Sequence, residues 1–284
     1  MLTPSGGAMV CGIIGDPVQH SLSPWMQRQF AEQLGLDFLY APFPVATEHL
    51  PTALRGLQAL GVRGINVTIP HKEALLPFVD ELSPRAAAIG AVNTLLFEHG
   101  RILGENTDVT GFARSLRRHA GTISGPSLVI GAGGAARAIL HALAGEGATP
   151  IYLANRTLAR AEALATEFPT LPIRPLALSR TAIQPHLRSI QLLVNTSSRG
   201  LRGEGHPEID LQQMPASGIV CDIVYKPLQT PLLVAAKVHG LRCVDGLGML
   251  VEQGAESFRI WTGQLPNAGA VEEILRTWLQ TPKR

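Results

Sequence analysis

Leu128–Val129–Ile130–Gly131–Ala132–Gly133–Gly134–Ala135–Ala136 is the stretch whose reading decides the fold. Three strand-forming residues run straight into G-x-G-x-x-A, and a helix is predicted from Gly134 to about Leu143. Gly131 permits a tight turn, Gly133 lets the backbone approach a pyrophosphate, and the small Ala136 lets helix and sheet pack closely. The helix start then offers unpaired N–H groups and the positive end of its dipole to phosphates. A glycine-rich turn without a ligand has the same letters; its place between a strand and a helix favours a dinucleotide.

The next strand, Ile151–Ala154, bears on which dinucleotide. A carboxylate near its end would accept from the ribose hydroxyls of NAD. Instead the chain continues Asn155–Arg156–Thr157. Nothing there repels a 2′-phosphate and Arg156 offers it a charge-assisted fork, so NADP is predicted; an ordinary surface arginine is the competing reading.

Around this core the pattern continues. Downstream come a helix around Ala159–Phe168, strands Leu192–Asn195 and Ile219–Val224, a helix Thr230–His239, a short strand Arg242–Val244, and helices Leu247–Trp261 and Ala268–Leu279. Upstream, strands Val10–Gly15, Asp37–Pro44 and Gly64–Thr68 alternate with helices Pro24–Leu34, Thr47–Leu60 and Pro70–Val79. A hairpin, Val92–Phe97 with Arg101–Gly104, and a helix Thr107–His119 follow. Strands alternating with helices imply parallel βαβ units and an α/β fold. Turn residues mark seams at Gly121–Pro126 and Asp245–Gly248.

The chain has 284 residues, 45% apolar and 16% charged, with a formal net charge of +2. This is a globular composition, long enough for two domains. The arginines are scattered, so no nucleic-acid footprint exists. No apolar run reaches the roughly 18 residues of a membrane helix. Met1–Ala8 lacks a signal-peptide pattern and reads as a flexible extension. Cys11, Cys221 and Cys243 are far apart in apolar runs, so neither a disulfide framework nor a metal site is expected. They read as small buried hydrophobes of a reducing, cytoplasmic compartment.

Three polar segments stand out in the front half. Ser21–Leu22–Ser23–Pro24 predicts Ser23 as a helix N-cap with Pro24 at the first helical position. Both serines could also donate to a carboxylate there. Asn66–Val67–Thr68–Ile69–Pro70–His71–Lys72 runs off a strand into a helix and sets Lys72 in its first turn. A cation facing the positive dipole end is poor for stability and eases release of its proton. Glu105–Asn106–Thr107–Asp108 opens another helix, where an anionic Asp108 is favoured. Taken singly, each charge also fits a solvated surface.

These segments, with Gly90–Ala91–Val92–Asn93–Thr94, Asn106–Thr107–Asp108–Val109–Thr110–Gly111, the Gly131 loop, Asn155–Arg156–Thr157, Asp222–Ile223–Val224–Tyr225 and Gly246–Leu247–Gly248–Met249–Leu250–Val251–Glu252–Gln253, resemble the shikimate dehydrogenases. The resemblance runs in order from Val10 to near the end. It implies an N-terminal α/β substrate domain, residues 1–112, on which 247–284 packs back, and a Rossmann-type NADP-binding domain, residues 113–246. It implies Lys72 and Asp108 as the catalytic pair, with Lys72 taking the proton as the alcohol is oxidised. Ser21 and Ser23 would hold the substrate carboxylate, with Tyr225 near it; Thr68, Lys72, Asn93, Asp108 and Gln253 would bind ring hydroxyls. Gly131, Ala132, Gly133, Gly134, Ala135, Asn155, Arg156, Thr157, Thr196, Ile223 and Gly246 would line the NADP site.

The reaction implied is the reversible NADPH-dependent reduction of 3-dehydroshikimate to shikimate, by a monomer or homodimer without metal. A quinate/shikimate dehydrogenase or a paralogue with a related hydroxyacid is the second reading. A catalytically silent NADP-sensing protein is a third, though it should have lost Lys72 or Asp108. Arg199 and Arg202 add charge to the loop after Asn195, either solvated or reaching an NADP phosphate; His71 carries no assigned role.

Overall fold

A computed structural model of the chain describes residues 4–281. Two compact units emerge: residues up to Gly111 together with those from Val251 onward, and Phe112–Leu250.

The first unit carries strands β1 (Met9–Gly15), β2 (Phe38–Pro44), β3 (Gly64–Val67), β4 (Glu81–Leu82), β5 (Thr94–Glu98) and β6 (Arg101–Glu105). Its helices are α1 (Ser23–Leu34), α2 (Leu50–Ala59), α3 (His71–Ala74) and α4 (Pro84–Ile89); α5 (Asp108–Ala120) begins in it. The sheet order is β2-β1-β3-β5-β6-β4, with β1, β2 and β3 parallel and β5 antiparallel to β3 and β6. Ile14, Leu50, Leu54, Ile65, Val67 and Leu95 form its core.

The second unit carries β7 (Ser127–Ile130), α6 (Gly134–Gly145), β8 (Ile151–Asn155), α7 (Leu158–Glu167), β9 (Ile173–Ala177), α8 (Arg180–Leu187), β10 (Leu192–Asn195), β11 (Ile219–Asp222), α9 (Pro231–Val238) and β12 (Arg242–Val244). All six strands are parallel, in the order β12-β11-β10-β7-β8-β9. Strand order reverses between β7 and β10, so the loops after these two strands flank the switch point where α/β sheets bind ligands. α10 (Leu247–Thr262) and α11 (Ala268–Gln280) close the chain. From Val251 on they belong to the first unit, where Trp261 donates from Nε1 to the Leu95 carbonyl at 2.9 Å.

Several local expectations are corrected. Leu22, not Ser23, is the N-cap of α1, and Ser23 is its first residue. The predicted helix Pro70–Val79 shrinks to the one-turn α3, capped by Pro70, and a 3₁₀ turn at Leu76–Phe78. Pro77 has no N–H to continue the ladder. The predicted helix Thr47–Leu60 likewise divides into a 3₁₀ turn, Thr47–His49, and α2. β9 and α8 carry no clear sequence pattern, because each contains a proline, Pro175 and Pro185, and β9 is a half-exposed edge strand without alternation. The short α4, capped by Ser83 and ended by Gly90, and the two-residue β4 are too brief to show a period. Met1–Thr3 lie outside the described residues; within the predicted extension, the Ser5 N–H and hydroxyl donate to the Asp37 carboxylate. Among the described residues no helix is long and apolar enough to cross a membrane.

Candidate functional site

In the first unit, strand ends and helix starts gather the predicted polar residues. Thr68 N–H donates to the Ile14 carbonyl, and Asp16 N–H to that of Ile69, which lays the loop after β1 beside the end of β3. That loop carries Ser21, half-buried, whose Oγ accepts the Ser23 N–H at 3.1 Å, and Ser23, which is buried. Val67 N–H donates to the Asn93 carbonyl and Val92 N–H to that of Lys72, so Thr68, Lys72 and Asn93 are tied through their backbones.

The side chains converge. Lys72 Nζ donates to Asp108 Oδ2 at 2.5 Å, and Asn93 Nδ2 donates to the other oxygen, Oδ1, at 2.8 Å. Asp108 is 3% exposed, and both of its oxygens have donors, as a buried polar group requires. Asp108 heads α5, and its N–H donates to Asn106 Oδ1. Gln253, on α10, brings Oε1 to 3.4 Å from Asn93 Nδ2. Ser21, Ser23, Thr68, Lys72, Asn93, Asp108 and Gln253 all belong to one unit. α3 has four residues, so Lys72 sits at once in its first and its last turn. His71 beside it is fully buried, its Nε2 on the Val45 carbonyl at 2.7 Å.

The second unit holds the residues predicted for the dinucleotide. Gly131 has φ +105°, and a Cβ there would stand 2.7 Å from Thr196 Oγ1, so only glycine fits. Thr196 in turn donates to the Ile130 carbonyl at 2.7 Å, joining the loop after β10 to the end of β7. Gly133, the N-cap of α6, has no side-chain cap and open space where a Cβ would lie. Uncapped N–H groups behind an open glycine fit a pyrophosphate. At the end of β8, Asn155 Nδ2 closes on the Thr157 carbonyl at 2.8 Å. Arg156 is exposed, and among the described residues its side chain has no partner. Arg160, in the first turn of α7, is exposed as well. A Cβ on Gly246 would meet the Ile223 carbonyl oxygen at 2.1 Å, so backbone packing alone demands glycine there. Tyr225 lies in this second unit, beyond β11, and not among the first-unit residues.

Arg199 is paired rather than freely solvated. Its Nη1 donates to Glu208 Oε1 at 2.5 Å, and the buried His206 ring faces the same oxygen at 3.2 Å. Arg202 is exposed. Cys11 and Cys221 are buried and Cys243 half-buried, so the last is less sheltered than expected; all three are free, and burial pushes their thiols up.

A parallel sheet with a glycine loop at its switch point, and an α/β unit with a lysine–carboxylate pair among carboxamides and hydroxyls, define a Rossmann-type, dinucleotide-dependent oxidoreductase. Family models agree: one for the shikimate dehydrogenase substrate-binding domain matches residues 13–95, one for shikimate/quinate 5-dehydrogenase 117–200, and one for the shikimate 5′-dehydrogenase C-terminal domain 246–276. The chain belongs to the shikimate dehydrogenase family. It is 46% identical to the shikimate dehydrogenase (NADP(+)) of Geobacter sulfurreducens, over 98% of this chain and 99% of that one. The crystal structure of shikimate dehydrogenase from Aquifex aeolicus superposes with a TM-score of 0.88 at 39% identity, covering 96% of this chain and 100% of that one. The enzyme of Thermus thermophilus in complex with NADP(H) and shikimate gives 0.85 at 41%, covering 95% and 99%.

Proposed function

We propose that this chain catalyses the reversible NADP-dependent interconversion of 3-dehydroshikimate and shikimate, with Lys72 as the proton donor and acceptor. The observation that carries the reading is the Lys72–Asp108 pair at 2.5 Å, its second carboxylate oxygen held by Asn93. Lys72 holds at Nζ the proton that the reacting oxygen gains on reduction and loses on oxidation. Asp108 orients that ammonium and, with Asn93, Gln253 and Thr68, presents donors and acceptors to neighbouring ring hydroxyls. Ser21 and Ser23 hold the substrate carboxylate, joined by Tyr225. NADP(H), when bound, supplies or accepts the hydride.

In this reading residues 1–112 with 247–284 form the substrate domain and 113–246 the NADP domain. Gly131 to Ala135 cradle the pyrophosphate, with Thr196, Ile223 and Gly246 alongside, and Asn155, Arg156 and Thr157 receive the 2′-phosphate end. Three free thiols support a reducing, cytoplasmic setting. The enzyme works as a monomer or homodimer.

Cross-assay of shikimate and quinate against NADP and NAD tests the assignment. Shikimate with NADP should give the highest kcat/KM; faster quinate oxidation with NAD would sink it. Arg156→Ala should raise the KM for NADP about tenfold or more and leave that for NAD nearly unchanged, since one charge-assisted contact is worth roughly 1.5–3 kcal/mol. Equal changes would remove Arg156 from phosphate recognition.

A further inference from the structure

Behind the Lys72–Asp108 pair lies a buried polar cluster that no role above uses. Ser257, on α10 one turn after Gln253, is fully buried. Its Oγ donates to the Gln253 carbonyl at 3.0 Å and accepts from Asn66 Nδ2 at 2.9 Å. The Thr94 and Thr107 hydroxyls stand 2.8 and 3.2 Å from it. Each of these also reaches Asn93 Oδ1, at 3.0 and 3.2 Å, and the Thr107 N–H donates to that same oxygen at 2.7 Å. A backbone N–H can only donate, so Oδ1 must be the acceptor end of the Asn93 amide. Its Nδ2 is thereby turned toward Asp108 and Gln253.

The far end of the cluster is also fixed in direction. Tyr40 donates its hydroxyl to Asn66 Oδ1 at 2.7 Å. Burial pushes the Tyr40 phenol well above its ordinary value, so it stays a donor. Asn66 therefore presents its NH₂ to Ser257, Thr94 and the Asn93 carbonyl. Among the described residues, Ser257 is the one hydroxyl in contact with Asn66, Thr94, Thr107 and the Gln253 backbone together.

We propose that Ser257 is a positioning residue for substrate binding: its hydroxyl, set by the Tyr40–Asn66 pair, holds the Thr94 and Thr107 hydroxyls against Asn93 Oδ1 and so steadies the Asn93 carboxamide, directed by the Thr107 N–H, where it meets the hydroxyls of a polyol substrate. This rests on the reading of Asn93 as a substrate-binding group. Removing the hydroxyl takes one of three acceptors from Asn66 Nδ2 and one neighbour each from the Thr94 and Thr107 hydroxyls in a place sealed from water, which loosens the shell that backs the Asn93 carboxamide.

The test uses the full chain. Wild-type turnover of shikimate with NADP is measured first and by itself decides the functional reading. Ser257→Ala should then weaken shikimate binding, by calorimetric Kd and by KM, about tenfold, while the Kd for NADP stays within twofold. Tyr40→Phe, which removes the donor to Asn66 and with it a hydrogen bond between the Tyr40 and Ser23 side chains, should shift shikimate binding in the same direction and leave NADP unaffected. Ser257→Cys keeps the volume with a weaker hydrogen-bonding group and should fall between wild type and Ser257→Ala. Wild-type shikimate affinity in both Ser257→Ala and Tyr40→Phe overturns the proposal. So does an equal loss of shikimate and NADP binding, which marks general destabilisation.

Discussion

At the scale of single residues the site is an exercise in satisfying buried charge. Asp108 has its side chain 4% exposed and Lys72 16%, so little water reaches either and each is the other's main polar partner. Asp108 is further held by Asn93, so removing Lys72 leaves a carboxylate with one donor fewer and no counter-ion. Lys72→Ala should therefore lower kcat by roughly 10²–10⁴, the usual worth of positioned acid–base catalysis. NADP affinity, measured by fluorescence titration, should stay within about twofold, because the glycine loop and Arg156 lie in the other unit. Retained turnover would take Lys72 out of the chemistry.

At the scale of elements, the loop from β10 to β11 shows how a long connection is held by buried polar groups. Asn195 Nδ2 donates to Asp222 Oδ1 at 2.9 Å and Thr230 donates to Oδ2 at 2.7 Å, while Asn195 Oδ1 takes the Ser197 N–H and hydroxyl. Desolvation nevertheless raises the Asp222 carboxyl, against these donors. Further along, Glu208 holds Arg199 and faces His206. Burial holds the His206 imidazole below its ordinary 6.5, despite Glu208 beside it. The folded state then binds fewer protons there than the unfolded chain, so stability is lost as pH falls below about 6.5. Tm should drop between about pH 7 and pH 5, and His206→Gln should make that part of the slope shallower. An unchanged slope in the variant would assign the pH dependence elsewhere.

At the scale of the whole molecule, the last two helices complete the first core from far along the chain. Phe258 packs on Phe30 and Phe38 with ring centroids 5.8 and 5.1 Å apart, and Trp261 on Tyr40 at 6.1 Å. Gly64 has no side chain because a Cβ there would lie 2.0 Å from the Trp261 indole nitrogen. Burial of Phe258, Trp261 and Leu275 contributes about 2–3 kcal/mol each, comparable in sum to the stability of an ordinary domain. A fragment spanning Phe112–Leu250 should accordingly fold cooperatively and bind NADP, whereas a fragment ending at Gly111 should not, as circular dichroism and denaturant titration would show. A cooperative transition in the shorter fragment would mean that α10 and α11 are dispensable.

What the chain's letters determined by themselves is local. The Gly131 loop between β7 and α6, the basic rather than acidic end of β8, and the helix start at Asp108 depend on backbone conformation and charge within a few residues, so they were legible. Ser23, Pro77 and Pro175 misled for the converse reason: caps and breaks there are settled by how the flanking chain packs. Only the tertiary structure placed β10 beside β7, joining Thr196 to the glycine loop, and brought Gln253 to Asn93 across 160 residues of chain. It alone turned the Asn93 amide toward Asp108. Such pairings follow from burying opposite faces and leaving no buried donor without an acceptor, conditions that belong to the packed molecule and to no stretch of its sequence.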